Sequence, residues 1–148
     1  MKKIKTGFIR TSVLILSMLS SGLAAAEIAV VVNPVNRISA LNASQVRDIF
    51  LGINKRFPDG ELAAPIEQGS KTTEYSSFSH KVLGYHTSQL KAYWASKIFT
   101  GKGAPPPQVE NNEAVKNFLH NNPNGIGYIS KDAIDPRVKV ILLLNGHS

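Results

Sequence analysis

The residues best suited to chemistry lie in a polar stretch at 67–73, after an apolar run at 62–66. Five of them form the candidate site: Gly69, Ser70, Lys71, Thr72 and Thr73. We expect Gly69 to allow a tight turn. A turn before a helix presents free backbone N–H groups, which bind anions. The hydroxyls and Lys71 would add donors and a positive charge. The stretch predicts an anion site, and the alternative is an ordinary helix start capped by Ser70, Thr72 or Thr73.

A strand and a helix must position this turn. The apolar run at 62–66 has the length of a short strand. After the turn, apolar residues recur at i, i+3, i+7 and i+8, which places them on one helical face. They are Tyr75, Phe78, Val82 and Leu83. Gly84 follows where a helix commonly ends. A strand, a turn and a helix in this order are typical of α/β proteins.

Two apolar runs predict the central sheet. Residues 28–32 form a continuous β-branched run that predicts a strand buried on both faces, as in a parallel sheet. Residues 138–144 form a second apolar run, which is also predicted to be a strand buried on both faces. A shorter strand is predicted at 126–129.

Three further helices are predicted from apolar spacing. Val46, Ile49 and Phe50 share one face of a helix that Asn42 or Ser44 can cap and Gly52 can end. A second helix is predicted at 115–119 and includes Phe118. Residues 99–107, which are rich in glycine and proline, are predicted to form a loop. The remaining helix has Leu90, Tyr93, Trp94 and Ile98 on its buried face. Its two aromatic rings are interpreted as core, with a ligand-stacking pair as the alternative.

The first 26 residues have the pattern of a secretory signal peptide. Four basic residues precede an apolar centre at 13–19, and three alanines stand before Glu27. We therefore expect a signal peptide at 1–26, a single domain at 27–148, and a periplasmic or secreted product. The apolar centre is shorter than the roughly 20 residues that span a bilayer, so no stable membrane insertion is expected after cleavage.

Composition excludes several classes of protein. Removing the signal peptide lowers the Lys and Arg count from 17 to 13, against 10 Asp and Glu, for a net charge of +3. These basic residues are scattered, so nucleic-acid binding is not expected. The chain has no cysteine, so the fold is held without disulfides.

No catalytic or metal-binding motif is found. The four histidines, at 80, 86, 120 and 147, form no pair with the spacing of metal ligands. There is no nucleophile elbow and no cysteine nucleophile. We expect a protein that is not an enzyme, with no cofactor and no metal.

Several short strings together resemble the phosphate-binding proteins of ABC importers. They are VVVNP at 30–34, DIFLG at 48–52, the Gly-Ser turn, FTGKG at 99–103 and GIGY at 125–128. The chain is more closely similar to small exported proteins that carry only part of that fold. The resemblance implies an α/β fold, namely a single lobe of a type II periplasmic binding protein, with a mixed central sheet flanked by helices.

This sequence departs from the family pattern at the site. The family has an arginine shortly before its Ser-Gly-Thr string, whereas Glu67 and Gln68 stand here. Lys71 is the only cation in the turn, and Glu67 and Glu74 flank it. Two function hypotheses follow. One is weak binding of phosphate or a related anion, and the other is an interaction module that docks on an envelope protein.

Overall fold

The computed structural model describes residues 26–145. Apart from Ala26, the predicted signal peptide lies outside the described residues. Six strands and four helices follow in order: β1 (Ile28–Val32), α1 (Ala43–Phe50), β2 (Ala64–Pro65), β3 (Glu67–Gln68), α2 (Thr73–Phe78), α3 (Thr87–Phe99), β4 (Gln108–Val109), α4 (Asn112–Asn121), β5 (Gly125–Ser130) and β6 (Lys139–Leu144). A π-helical turn, Ser79–Leu83, continues α2.

The central sheet has the strand order β2-β5-β1-β6. Strand β1 is antiparallel to both β5 and β6, and only β2 runs parallel to β5. A mixed sheet flanked by helices is therefore confirmed. The parallel surroundings expected for 28–32 are wrong, because a continuous apolar run reports burial on two faces and not the direction of its neighbours.

Strand β1 is the centre of the core, and all five of its residues are fully buried. Because successive strand residues point to opposite faces, Ile28, Val30 and Val32 pack in one hydrophobic cluster. Ala29 and Val31 pack in a second cluster with residues of α4. The chain thus covers the sheet on both sides.

The predicted strand at 138–144 is present but lies at the edge of the sheet. It pairs with β1, yet Leu143 is 42% exposed. The run is covered on both faces, since Ile141 packs in the first hydrophobic cluster and Val138 in the second, but this cover is incomplete at Leu143.

The helix caps follow the sequence closely. The Asn42 side chain accepts a hydrogen bond from the backbone N–H of Gln45, and the Gln45 side chain accepts one from Asn42. This reciprocal arrangement satisfies two donors that a helix start otherwise leaves free. Gly52 and Gly84 follow α1 and the π-helical turn with positive φ angles of 68° and 73°, as expected for glycines after helices.

One predicted helix face is partly wrong. Leu90 and Trp94 are buried on α3, but Ile98 is 57% exposed and the neighbouring Phe99 is 93% exposed. The last turn of α3 extends past the core formed by residues 26–145, so its apolar spacing continues where these residues leave it exposed.

Candidate functional site

The chain between 64 and 69 moves from one sheet to another. Strand β2 pairs with β5, and Ile66 donates its N–H to the carbonyl of Ile126. Strand β3 then pairs in parallel with β4. Glu67 and Gln68, expected in the polar turn, are therefore strand residues, with only 2% and 1% of their surface exposed. This burial depends on β4, which is about 40 residues away in sequence.

Gly69 is held by backbone hydrogen bonds. Its N–H donates to the carbonyl of Val109 at 2.9 Å, and its carbonyl accepts from the N–H of Thr72 at 3.0 Å. Gly69 is not among the glycines with positive φ. A Cβ built on it would meet only the carbonyl oxygen of Val109, at 3.9 Å. The expectation that the turn needs glycine conformation at 69 is therefore wrong.

Thr72 is the N-cap of α2. Its hydroxyl accepts from the N–H of Tyr75 at 3.1 Å and donates to the carbonyl of Gly69 at 2.9 Å. The hydrogen of this hydroxyl is therefore already engaged. The hydroxyl of Thr73 donates to the Glu74 carboxylate at 3.2 Å. Of the predicted hydroxyls, only that of Ser70 has no partner within residues 26–145.

Ser70 and Lys71 form the open part of the turn. Both are exposed. Among the described residues, their backbone N–H groups have no hydrogen-bond acceptor. The five predicted residues therefore lie together at one turn. Ser70 and Lys71 carry the exposed hydrogen-bond donors described above.

Gln68 is a structural residue that the sequence analysis did not identify. Its N–H donates to the Tyr128 hydroxyl at 3.2 Å. Its side-chain amide donates to the Tyr128 carbonyl at 3.1 Å and to the side chain of Asn112 at 2.7 Å. These bonds join β3 to β5 and to the start of α4. No local sequence signal reveals them, because the partners are 60 and 44 residues away.

Glu67 is a buried carboxyl beside the turn. Burial raises its pKa from 4.5 to about 7, and a hydrogen bond with the Gln108 side chain opposes that rise. Its Oε1 is buried and has no hydrogen-bond partner in the described structure. Burial and the charge of Glu67 also raise the pKa of Tyr75. Glu67 does not flank Lys71 on the surface as expected from the sequence; it lies below the turn.

A groove of about 480 Å³ opens next to the turn. Its lining residues include Glu67, Ser70, Tyr75, Lys91, Trp94 and Ile98. We call it the Glu67 groove. It combines apolar and aromatic walls with a few polar groups, which is the usual composition of a small-molecule site.

Trp94 belongs to the core and also lines the Glu67 groove. It is 7% exposed, and its ring meets Tyr93 edge-on at 5.0 Å between centroids. Tyr93 is half-buried and donates its hydroxyl to the carbonyl of Leu51 at 2.8 Å. The core interpretation of Trp94 is therefore confirmed, and Tyr93 is held by a backbone contact. The indole Nε1 of Trp94 is buried and finds no acceptor among residues 26–145.

A cluster of four charged residues joins α4 to the segment between β5 and β6, and none of them lines the groove. Lys116 is 3% exposed and contacts Glu113 at 2.6 Å and Asp135 at 2.9 Å. Arg137 binds both carboxylates. Because these charges satisfy one another, we assign the cluster a structural role. Within the described residues, no group of three or more histidines and carboxylates could hold a metal.

Comparison with known proteins relates the fold to one class of receptor. No family model matches the chain, and no curated protein matches it. An ABC-type phosphate transport receptor from Vibrio cholerae superimposes with a TM-score of 0.60 at 21% identity, over 78% of this chain and 45% of that one. A putative phosphate ABC transporter substrate-binding protein from Clostridium perfringens, with bound phosphate, superimposes with a TM-score of 0.61 at 16% identity. The match covers 78% of this chain and 44% of that one. PstS from Borrelia burgdorferi superimposes with a TM-score of 0.59 at 16% identity, over 78% of this chain and 46% of that one.

These matches bear on fold alone, because identity is low. The chain spans less than half the length of each of these solved structures. They are described as receptors or binding proteins and not as enzymes. The structure of residues 26–145 has no helix long and apolar enough to cross a bilayer. The resemblance to phosphate-binding proteins is confirmed at the level of architecture: the chain has the α/β fold of a lobe of a periplasmic phosphate-binding protein.

Proposed function

We propose that this chain is an exported solute-binding lobe that holds phosphate or a related anion weakly at residues 69–73. One observation carries the proposal: the N–H groups of Ser70 and Lys71 have no acceptor within the described residues. The Ser70 hydroxyl and the exposed Lys71 side chain lie at the same turn. Successive N–H groups in a turn form a small concave site for an anion.

The affinity should be modest. Thr72 and Thr73 already use their hydroxyl hydrogens inside the protein. Glu74 receives one of these bonds, so a carboxylate lies at the turn and repels an anion. Residues 67–74 include no arginine, the side chain that binds two phosphate oxygens at once. We expect a dissociation constant on the order of micromolar to millimolar, equivalent to roughly −8 to −4 kcal/mol.

Isothermal titration calorimetry with inorganic phosphate on the exported protein tests this proposal. Ser70→Ala should weaken binding because it removes a free hydroxyl donor, and Glu74→Gln should strengthen it because it removes a repulsive charge. Ser39→Ala is the matched control, because Ser39 is an exposed serine outside residues 69–73. Salt should weaken the interaction, because the turn is exposed and salt screens exposed charges.

An absence of both heat and thermal shift at millimolar phosphate would contradict the anion proposal. The alternative is then an interaction module that docks on an envelope protein. The observation that favours this alternative is the exposure of Phe99, at 93%, next to Ile98. Large apolar side chains grouped on a surface are typical of contact sites.

A further inference from the structure

A second cavity, of about 390 Å³, is lined in part by β2, the strand at one edge of the central sheet. We call it the edge cavity. Three helices contribute to its walls as well: Ile49 and Phe50 on α1, Trp94 on α3, and Phe118 on α4. Its volume and its mostly apolar walls are typical of a small-molecule site. None of residues 69–73 lines it.

The walls of the edge cavity offer few hydrogen-bond donors. Pro65 and the three prolines at 105–107 line it, and proline has no backbone N–H. The N–H of Ala64 is already used, because it donates to the carbonyl of Asn124 at 2.9 Å. Strand β2 therefore has no N–H left to pair with a further strand, which disfavours a peptide added at this edge. A molecule in the cavity would contact mainly hydrocarbon.

One lysine gives the edge cavity its charge. Lys55 is the only charged residue among the described residues that line it, and it is exposed. Within residues 26–145, Lys55 forms no salt bridge. Its backbone carbonyl accepts from the N–H of Ala63 at 2.9 Å, next to Leu62, a lining residue that is 54% exposed. A positive charge thus lies near apolar surface that a ligand could remove from water.

We propose that the edge cavity binds a small amphipathic carboxylate, such as a medium-chain fatty acid, with its chain against Phe50, Trp94 and Phe118 and its carboxylate at Lys55. The apolar walls cannot replace the water around a sugar or an inorganic anion. Lys55 repels an organic ammonium compound and attracts a carboxylate. The proposal does not depend on phosphate binding at residues 69–73.

The chain provides its own reporter for the experiment. Trp94 is the single tryptophan of the sequence, and it lines both the edge cavity and the Glu67 groove. Sodium octanoate, titrated into the full exported protein, should change tryptophan emission in a saturable way. Hexanoate should bind roughly tenfold more weakly, because it buries two fewer methylene groups. Octanol and octylammonium should bind at least roughly threefold more weakly, because they cannot pair with an exposed lysine.

Paired variants distinguish the two sites that Trp94 reports. Lys55→Gln should weaken octanoate binding by roughly threefold to fivefold, the usual contribution of an exposed ion pair. Lys91→Gln makes the same change in net charge at the exposed lysine of the Glu67 groove and should leave binding unchanged. Ala104→Phe adds a ring at an exposed lining residue of the edge cavity and should remove most of the binding. Ala95→Phe adds the same ring at the Glu67 groove and should not.

Four results would overturn the proposal. The first is no saturable change at millimolar octanoate, and the second is equal binding of octanoate, octanol and octylammonium. The third is a larger loss in Lys91→Gln than in Lys55→Gln, which would locate the ligand in the Glu67 groove. The fourth is a dimer, measured by light scattering, that Ala104→Phe dissociates, since a second copy of the chain would then fill the cavity.

Inorganic phosphate separates this proposal from the anion site. It should not displace octanoate, because none of residues 69–73 lines the edge cavity. Displacement of octanoate by phosphate would locate the carboxylate at that turn and would overturn the proposal for the edge cavity. A protein that binds octanoate but gives no heat with phosphate would contradict only the anion site.

Discussion

Two glycines show how differently single residues constrain this molecule. A Cβ at Gly127 would lie 2.7 Å from Cγ1 of Val115 and 2.9 Å from Cγ2 of Ile66. Both distances are far below ordinary carbon contacts, and both neighbours are buried core residues. At Gly69, the nearest such contact is 3.9 Å. Gly127 is therefore needed for close packing, whereas Gly69 is not needed for packing or for its backbone angles.

We predict that Gly127→Ala destabilises the protein by about 1–3 kcal/mol, because the added methyl group overpacks the core. Gly69→Ala should change the free energy of unfolding by less than about 0.5 kcal/mol, as is usual away from such sites. Urea unfolding of both variants checks the contrast. Equal destabilisation would show that the turn at 69 is more constrained than its contacts indicate.

Glu67 should make stability depend on pH. Its pKa is raised from 4.5 to about 7 in the folded state. Between these values the folded protein binds the proton and the unfolded chain does not, so this carboxyl lowers stability as pH rises. The effect is present in full above pH 7 and absent below about pH 4.5.

Glu67→Gln removes this dependence. Between pH 4.5 and 7, the free energy of unfolding of the parent should fall by on the order of 3 kcal/mol relative to that of the variant. Urea unfolding of both proteins at pH 5 and pH 8 measures the difference. Taking the difference cancels the contributions of Glu113 and Asp135, whose pKa values are lowered by Arg137 and Lys116. A constant difference across this range would contradict the burial of Glu67.

At the scale of elements, α3 is attached to the core by its first half. Leu90 and Trp94 are buried one turn apart, while Ile98, at the next repeat, is exposed. The terminal carbon Cη2 of Trp94 reaches to 3.8 Å from the position of a Cβ on Gly52, after α1. The tryptophan thus connects α3 to the end of α1.

We predict that Trp94→Ala costs roughly 3–5 kcal/mol, the usual range for a large side chain removed from a core. Ile98→Ser should have a small effect, because the residue already contacts solvent. Chemical denaturation of the two variants checks this difference. A large loss in Ile98→Ser would show that the end of α3 packs against something beyond residues 26–145.

At the scale of the whole molecule, the prediction of export rests on the sequence of the first 26 residues. We predict cleavage between Ala26 and Glu27, after the three alanines that follow the apolar centre. Mass spectrometry of the protein recovered from the cell envelope tests the site. A product that still begins at Met1 would contradict export by a cleaved signal peptide.

The sequence by itself determined those features that depend on neighbours along the chain. The strand at 28–32 and the glycines after α1 and the π-helical turn follow from local spacing and residue type, and each is confirmed. A cap is also predicted at Asn42 or Ser44, and the structure has it at Asn42. The family resemblance added the architecture, because its short strings are spread over nearly the whole domain.

Only the tertiary structure decided the direction of the strands beside β1, the edge position of β6 and the character of the site. Glu67 and Gln68 look like turn residues, yet pairing with β4 and hydrogen bonds to Tyr128 bury both. The physical reason is separation in sequence. A residue's own neighbours set its backbone, but its burial, its pKa and its free hydrogen bonds are set by partners 40 to 60 residues away.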